Sequence, residues 1–252
     1  PELGSVSTPT YESLRRFMSK DVLEQSFPGA RGTTSVNYVW TFHKYIGYST
    51  PNASWRGTLT APFDHVGSFF GEHPPSSARD YAAAAGIAQM FQYQALFEGF
   101  QTFMWEYYSA VIMWKSQSPW PVLRGAFYDS WLKQTGGYWG VQRALSATPS
   151  GLRVQLNLKT WRVSVLNKGT LKFSGATKLE ARTSFFSATT GRLLSSESQP
   201  LPIGSASGVE AQSVIAVRDT LTFPALPSGE TSSLIRLQLV DVKPNGTLEI
   251  LA

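Results

Sequence analysis

The pattern of apolar residues changes near Ala144, and this change constrains the fold more than any other feature of the sequence. Before it, helical stretches alternate with aromatic loops, and seven of the 8 tryptophans precede residue 140. After it, apolar and polar residues alternate in short runs between Gly, Pro and Ser, which is the period of half-buried strands. The sequence therefore predicts two domains, residues 1–145 and 146–252, joined by a linker at 145–151.

The second predicted domain consists of short strands. Residues 152–169 contain two of them, and the other candidates are Thr177–Phe186, Ser213–Val217, Thr220–Phe223, Ser233–Val242 and Thr247–Leu251. Six or seven short strands in this length predict an antiparallel immunoglobulin-like β-sandwich.

The first predicted domain contains a long helix over residues 76–108. Ser77 and Asp80 have the spacing of a capping box at its start. A strand at Ser109–Met113 and a further helix or turn around 125–133 are expected to follow. This order of strands and helices is an α/β pattern typical of parallel barrels.

The number of residues in the first domain limits how much of a barrel it contains. A complete (β/α)8 TIM barrel needs about 250 residues, and only 1–145 are available. These residues are therefore expected to form the last strands and helices of a barrel whose other strands lie elsewhere.

Composition excludes several classes of function. The net charge is +5 and the pI about 9.4, but Lys and Arg are scattered, which argues against nucleic acid as a partner. The absence of cysteine excludes disulfides and thiolate catalysis. No apolar run reaches the roughly 18 residues of a membrane span. Glycosylation sequons at Asn52 and Asn245 favour a secretory, vacuolar or extracellular location over a cytoplasmic one.

The segment 111–131 combines a strand with an aromatic loop. An apolar run ends in Trp114 and opens directly into a polar loop that contains Trp120. Active sites of barrel enzymes lie at the carboxyl ends of the strands, so both rings are candidates for stacking on a sugar, with core packing as the alternative. Glu2, near a second expected strand end, is a candidate nucleophile, although by residue type alone it would be a surface residue.

Other polar residues are less specific. His43 is a candidate for binding a sugar hydroxyl or for acid/base chemistry, or it is a loop histidine bound by its neighbours. Asp64, His65, Glu72 and His73 resemble a metal cluster by type, but their spacing matches no ligand motif, so no metal is predicted. Asp129 is expected to be structural.

Three segments carry a resemblance to a known family: PELGSVSTPTYESLRRFM, FHKYIGYS and IMWKSQSPWPVLRGAFYDSWLKQTGGYWG. They resemble glycoside hydrolase family 2, in the branch of exo-β-D-glucosaminidases and plant-type mannosylglycoprotein endo-β-mannosidases. The match is closer to the endo-β-mannosidases and covers most of residues 1–158. It implies the C-terminal portion of such an enzyme, a barrel end followed by a β-sandwich.

The resemblance implies retaining hydrolysis of a β-glycoside in an oligosaccharide or glycan, with Glu2 as the nucleophile and no cofactor. Trp114, Trp120, His43 and Trp40 would bind the substrate, and Glu2 and Trp114 would face one pocket. The family's acid/base glutamate follows an asparagine, and this sequence has no Asn-Glu pair, so the proton donor is expected in the remaining N-terminal part, on the same precursor or a separate chain. Glu12 and Glu98, which lie on predicted helices, are expected to tolerate replacement by alanine without the loss of turnover expected for Glu2.

Three functions are consistent with the resemblance. The first is a β-mannosidase acting on β-linked mannose of N-glycan cores. The second is an exo-β-D-glucosaminidase, which would need extra carboxylates for the amine, and few acids accompany the matched segments. The third is a non-catalytic carbohydrate-binding or structural chain that needs a partner chain.

Overall fold

The computed structural model describes residues 2–5, 7–25, 27, 38–43, 75–123, 126–146, 148, 150–174, 178–201, 208–229 and 231–252. The chain divides into two compact units. Unit 1 contains residues 1–97 and 111–145, and unit 2 contains residues 98–110 and 146–252.

The described part of unit 1 is built from short helices, one long helix and a two-stranded sheet. Its elements are β1 (Glu2–Leu3), α1 (Tyr11–Leu14), α2 (Lys20–Gln25), α3 (Tyr38–Phe42), α4 (Ala78–Thr102, whose last turn belongs to unit 2), β2 (Ile112–Met113) and α5 (Gly136–Leu145). The two strands are parallel. The core of this unit joins α1, α2 and α3 to one face of α4, where small alanines allow close approach.

Helix α4 begins as the sequence predicts. The Ser77 hydroxyl oxygen accepts from the Asp80 N–H at 3.1 Å, and the Asp80 carboxylate accepts from the hydroxyls of Ser77 at 2.8 Å and Ser76 at 3.0 Å. The first of these bonds satisfies an amide of the first helical turn, which has no partner within the helix. The two hydroxyl donors also lower the pKa of Asp80.

The end of α4 differs from the prediction. The helix stops at Thr102 rather than at Tyr108. After that residue the amides bond three residues back, Phe103 N to Phe100 O at 3.1 Å, and the chain then reverses at Trp105, which has a φ of 69°. Tightened last turns of this kind end helices, and a positive φ cannot continue one.

Of the helix or turn predicted around 125–133, the structure shows the turn. The described residues around 126–135 form turns, in which the Asp129 carboxylate accepts from the amides of Trp131 at 2.8 Å and Lys133 at 3.0 Å. Asp129 is thus structural, as expected. The helix is α5, which follows and contains Gly136, Gly137 and Gly140. A Cβ on Gly140 would lie 2.2 Å from the Met90 carbonyl oxygen, so glycine is needed where α5 crosses α4.

Unit 2 consists of two antiparallel sheets. The first has strand order β3-β4-β7 and the second β6-β5-β8-β9. The strands are β3 (Leu152–Leu156), β4 (Val163–Asn167), β5 (Leu179–Ser187), β6 (Leu193–Pro200), β7 (Ser213–Arg218), β8 (Ser233–Val242) and β9 (Leu248–Ile250). Residues of both sheets, including Val165, Val217, Phe185 and Leu239, form a single hydrophobic cluster.

Two strand predictions in unit 2 are wrong. Residues 220–223 are not a strand; instead Phe223 packs edge-on against Trp161 at 4.8 Å and against Phe185 at 5.7 Å. Strand β6 was not predicted. Six of its eight residues are exposed, because among the described strands it forms the edge of its sheet and pairs with β5 alone. Its sequence therefore lacks apolar alternation.

The remaining sequence features fall on both described and undescribed residues. Asn245 lies in the exposed turn between β8 and β9, and its side-chain oxygen accepts from the Thr247 hydroxyl at 2.7 Å. Asn52, Asp64, His65, Glu72 and His73 lie outside the described residues. Where the chain is described, no three acidic or histidine side chains gather as metal ligands, and no helix has the length and apolar character of a membrane span.

Candidate active site

The ends of β1 and β2 meet at one edge of the parallel pair. Glu2 pairs with Ile112 and Leu3 with Met113, and the Trp114 N–H donates to the Leu3 carbonyl at 2.8 Å. Because the strands are parallel, their carboxyl ends lie side by side, about 4.8 Å apart. The segments that follow Leu3 and Met113 therefore start at the same edge.

Strand alternation places Glu2 and Trp114 on the same face of this pair. Glu2 and its partner Ile112 are both exposed, whereas Leu3 on the opposite face is buried. Trp114 follows Ile112 by two residues, so its side chain returns to the face of Ile112 and Glu2. Its ring is 42% exposed. A carboxylate and a large aromatic ring thus share one open face of the sheet.

The loop after β2 folds back on itself and presents a second aromatic ring. The amides of Phe127 and Tyr128 donate to the carbonyls of Lys115 at 3.3 Å and Ser116 at 2.9 Å. These bonds bring the far half of the loop back to the strand end. Trp120 lies on the near half and is 62% exposed, which leaves its ring available for stacking.

His43 lies in a turn after α3. Its ring is half-buried and contacts Phe17 edge-on at 4.7 Å and Phe42 at 5.3 Å, and its backbone carbonyl accepts from the Leu123 amide at 2.8 Å. The aromatic contacts fix the orientation of the imidazole. The residue keeps part of its surface exposed, which is compatible with both predicted roles.

Trp40 occupies a different environment from the other predicted substrate-binding residues. Its ring is fully buried and meets Tyr81 of α4 edge-on at 6.3 Å. A ring without exposed surface has no face on which a sugar can stack. This position favours a core role for Trp40 over the role in substrate binding that the family resemblance implies.

A cavity of about 360 Å³ lies among α1, α4 and the start of α5. Its lining includes the Glu12–Arg79 ion pair at 3.3 Å and the side chains of Ile87 and Trp139. Neither Glu2 nor Trp114 lines this cavity. We place the candidate site at the strand ends nevertheless, because parallel sheets position reactive groups there, whereas this cavity is a groove between helices.

Comparison with known proteins gives a consistent assignment. No family model matches the chain. It is 34% identical over 171 residues, 66% of its length, to a mannosylglycoprotein endo-beta-mannosidase of Lilium longiflorum, of which it spans 16%. These similarities support a likeness to the C-terminal portion of glycoside hydrolase family 2 enzymes.

Solved structures of glycosidases share the fold of this chain. An exo-chitosanase of Amycolatopsis orientalis matches 96% of this chain with a TM-score of 0.61 at 21% identity. A beta-D-mannosidase of Dictyoglomus thermophilum matches 95% with a TM-score of 0.55 at 18% identity. The chain spans 25% of each of these structures. The architecture of family 2 glycosidases therefore extends over nearly all of the chain.

The structure adds residues to this candidate site that the sequence does not reveal. An ideal Cβ on Gly4 would lie 2.3 Å from the Trp114 carbonyl oxygen. The Ser5 N–H donates to the Tyr93 hydroxyl oxygen at 3.1 Å, and the Ser5 hydroxyl donates to Gln92. Only Gly4 carries a sequence signal, a glycine directly after a strand; Gln92 and Tyr93 are ordinary helix residues until the fold brings them to Ser5.

Proposed function

We propose that this chain is part of a retaining β-glycoside hydrolase and that it carries the nucleophile Glu2. The observation that supports this most directly is the common exposed face of Glu2 and Trp114 at the ends of two parallel strands. That face is open in the described part of the chain, and further barrel strands supplied by the rest of the enzyme would enclose it.

The proposed architecture follows from the same observations. Residues 1–145 are the last strands and helices of a TIM barrel, supported by the parallel β1–β2 pair. Residues 146–252 are an immunoglobulin-like sandwich, supported by antiparallel sheets of three and four strands around one core. The match to family 2 structures over nearly the whole chain agrees with both assignments.

In the proposed reaction the Glu2 carboxylate attacks the anomeric carbon while the bond to the leaving oxygen breaks. A carboxylic acid on the remaining N-terminal part, about 5 Å from Glu2, gives its proton to that oxygen. Water then attacks the glycosyl ester and releases Glu2 as a carboxylate. The acid/base residue of the N-terminal part, now deprotonated, removes a proton from that water. The ring of Trp114 forms the floor under the sugar, and Trp120 and His43 bind it from the sides.

The proposed substrate is β-linked mannose in the core of N-glycans. The relative in lily is named for endo-β-mannosidase activity on mannosylglycoproteins, and it shares more sequence with this chain than the exo-chitosanase does. N-glycans occur on secreted proteins, so a secretory, vacuolar or extracellular location suits this substrate.

An exo-β-D-glucosaminidase is the second candidate, favoured by the similarity to the Amycolatopsis enzyme. Such an enzyme must bind a cationic amine, which calls for carboxylates beside the sugar. Aryl β-mannoside and aryl β-glucosaminide, assayed at equal concentration with the full-length protein that carries this chain, separate the two. Hydrolysis of neither, with retained glycan binding, would favour a non-catalytic chain.

Chemical trapping tests the nucleophile itself. A β-mannosyl fluoride that carries a second fluorine beside the anomeric carbon forms the ester on the nucleophile but releases it slowly, because the fluorine destabilises the positively charged transition state. We expect digestion and peptide mass measurement to locate the label on Glu2. A label on any other carboxylate would refute the assignment.

A further inference from the structure

The segment that follows Glu2 is hydrogen-bonded to α4. Ser5 lies three residues after Glu2, and its N–H donates to the hydroxyl oxygen of Tyr93, 88 residues away in sequence. The Ser5 hydroxyl donates to the neighbouring helix residue, Gln92. Two adjacent residues of a rigid helix therefore bind one residue of the loop that begins at the candidate nucleophile.

The Tyr93 ring has little freedom to move. It is fully buried and contacts Phe127 edge-on at 5.1 Å. On another side it faces the backbone of α5, where a Cβ on Gly137 would approach the ring to 2.9 Å. The Gly137 amide in turn donates to Gln89 of α4 at 2.9 Å. This packing fixes the hydroxyl relative to the helix, so the acceptor for Ser5 has a defined position.

The Tyr93 hydroxyl also stays protonated, so its role as acceptor for Ser5 does not change with pH in the physiological range. Burial raises the pKa of Tyr93 above its ordinary value, and the Ser5 N–H partly opposes that shift. The phenol is therefore neutral and keeps lone pairs for the amide at every physiological pH. Without it the partly buried Ser5 N–H would lose this hydrogen-bond partner.

The segment directly after Glu2 is thus fixed at two points. The Leu3 carbonyl accepts from the Trp114 amide, and two residues further on the Ser5 amide donates to Tyr93. Gly4, between Leu3 and Ser5, lies against the Trp114 carbonyl, so the segment cannot move toward Trp114. A nucleophile must lie within a fraction of an ångström of its productive position, and a displacement of about 1 Å costs about a hundredfold in rate.

We propose that Tyr93 is a positioning residue for Glu2, acting through the backbone of Ser5. The proposal rests on the function proposed above, in which Glu2 attacks the sugar. Tyr93 does not touch the substrate in this role. It sets the place of the strand end from which the carboxylate projects, so its loss slows attack without weakening sugar binding.

The test is Tyr93→Phe in the full-length protein, labelled with the doubly fluorinated mannoside. Phenylalanine keeps the ring packing and removes only the acceptor. We expect the maximal labelling rate to fall about tenfold or more, with the half-saturating reagent concentration unchanged. The fraction of protein labelled at completion equals the folded fraction. Partial misfolding therefore lowers this fraction, while the labelling rate still describes the folded molecules.

Tyr81→Phe is the matched control. Tyr81 is an equally buried tyrosine of the same helix, about 18 Å away along its axis, and packs on Trp40. It should lose stability without a change in labelling rate. An unchanged rate in Tyr93→Phe, or an equal fall in Tyr81→Phe, would overturn the positioning role. If the unmodified protein takes no label on Glu2, the proposed function fails first and the positioning role fails with it.

Discussion

The carbonyl oxygen of Trp114 lies directly against the α-carbon of Gly4. A side chain at position 4 would place its Cβ 2.3 Å from that oxygen, well inside the 3.0 Å that real Cβ atoms respect. The obstacle is backbone rather than a flexible side chain, so it cannot turn aside. The first residue after β1 and the first residue after β2 are therefore in backbone contact, and the relation between the two strand ends depends on a glycine.

Gly4→Ala should separate these strand ends. The added methyl group forces the Trp114 backbone or the β1 end to shift, at a cost of about 1–3 kcal/mol in the free energy of unfolding. Glycosidase activity of the full-length protein should fall by more than the loss of folded protein explains, since both Glu2 and Trp114 move. Thermal unfolding and turnover of an aryl β-mannoside measure the two effects separately.

Gly99→Ala is the control for this substitution. Gly99 is exposed in α4, and nothing lies within 4 Å of a Cβ built there. Alanine should stabilise the helix by about 0.5–1 kcal/mol and leave turnover unchanged. A Gly4→Ala protein as stable and active as Gly99→Ala would show that the strand ends adapt freely.

The last turn of α4 is held in unit 2 by a partly buried ion pair. The Arg153 guanidinium donates to the Glu98 carboxylate at 2.6 Å, and the two side chains are 15% and 16% exposed, respectively. Gln155 adds bonds to the Glu98 carbonyl at 2.9 Å and to the Thr102 hydroxyl at 2.5 Å. Substitution of Glu98 is therefore expected to cost stability, because its carboxylate balances a partly buried cation; the expectation that it leaves turnover unaffected stays a prediction.

Glu98→Ala should lower the free energy of unfolding by about 3 kcal/mol, since it leaves the Arg153 charge without its partner. The remaining exposure of the pair keeps the loss from being larger. Denaturant unfolding followed by near-ultraviolet circular dichroism measures it. Glu24→Ala breaks an exposed pair with Lys20 and should change stability by less than about 1 kcal/mol. Comparable losses in both proteins would contradict a stabilising role of the Glu98–Arg153 pair.

The same region contains a lysine whose charge is costly. Burial lowers the pKa of Lys168, the nearby Arg153 charge lowers it further, and Glu98 opposes the shift. A base with a folded pKa below its unfolded value of 10.5 destabilises the fold while it is charged. That cost is fully present below the folded pKa and disappears as the pH rises to the unfolded value.

Lys168→Met should therefore stabilise the protein at neutral pH, and its advantage should shrink as the pH approaches 10.5. Melting temperatures of the two proteins, measured in steps across this range, provide the comparison. Lys159→Met, at an exposed turn position, controls for the loss of one positive charge. An advantage that grows with pH would mean that the sign of the shift is reversed.

Elements whose formation depends on residues close together in the sequence can be predicted from it, whereas elements that depend on long-range packing cannot. Strand β8 has the predicted bounds, Ser233–Val242; exposure alternates over its first four residues, and Leu239, Val240 and Asp241 are all buried. Helix α5 was missed because glycines usually interrupt helices, and here they allow α5 to contact the backbone of α4. Strand β6 was missed because it is a serine-rich edge whose only strong determinant is pairing with β5.

The candidate site divides in the same way. Glu2 and Trp114 were chosen from strand ends and family resemblance, and the parallel pairing that brings their segments together is a consequence of the predicted α/β order. Tyr93 could not be chosen, because its bond to Ser5 exists only after α4 packs across the loop. Trp40 shows the opposite error, since residue type alone does not distinguish an aromatic ring in a core from one in a site.

Glu2→Ala tests the chemical role of the carboxylate in the full-length protein. Turnover of an aryl β-mannoside should fall by several orders of magnitude, because no ester can form, while binding of the sugar persists. Glu12→Ala is the matched control. Glu12 is an exposed acid of α1 paired with Arg79 at 3.3 Å, so its loss should leave the rate close to that of the unmodified protein.

Anion rescue distinguishes a lost nucleophile from a damaged fold. Alanine leaves a gap beneath the anomeric carbon, and a small anion such as azide or formate can occupy it and attack an activated aryl mannoside in place of the carboxylate. Attack from that side gives a product of inverted, α configuration, since only one displacement takes place instead of two. Restored turnover with an α-mannosyl azide as product would therefore identify Glu2 as the attacking group. Glu2→Ala protein that hydrolyses the substrate at a near-normal rate, or that folds and binds sugar but is not rescued by any anion, would remove Glu2 from the mechanism.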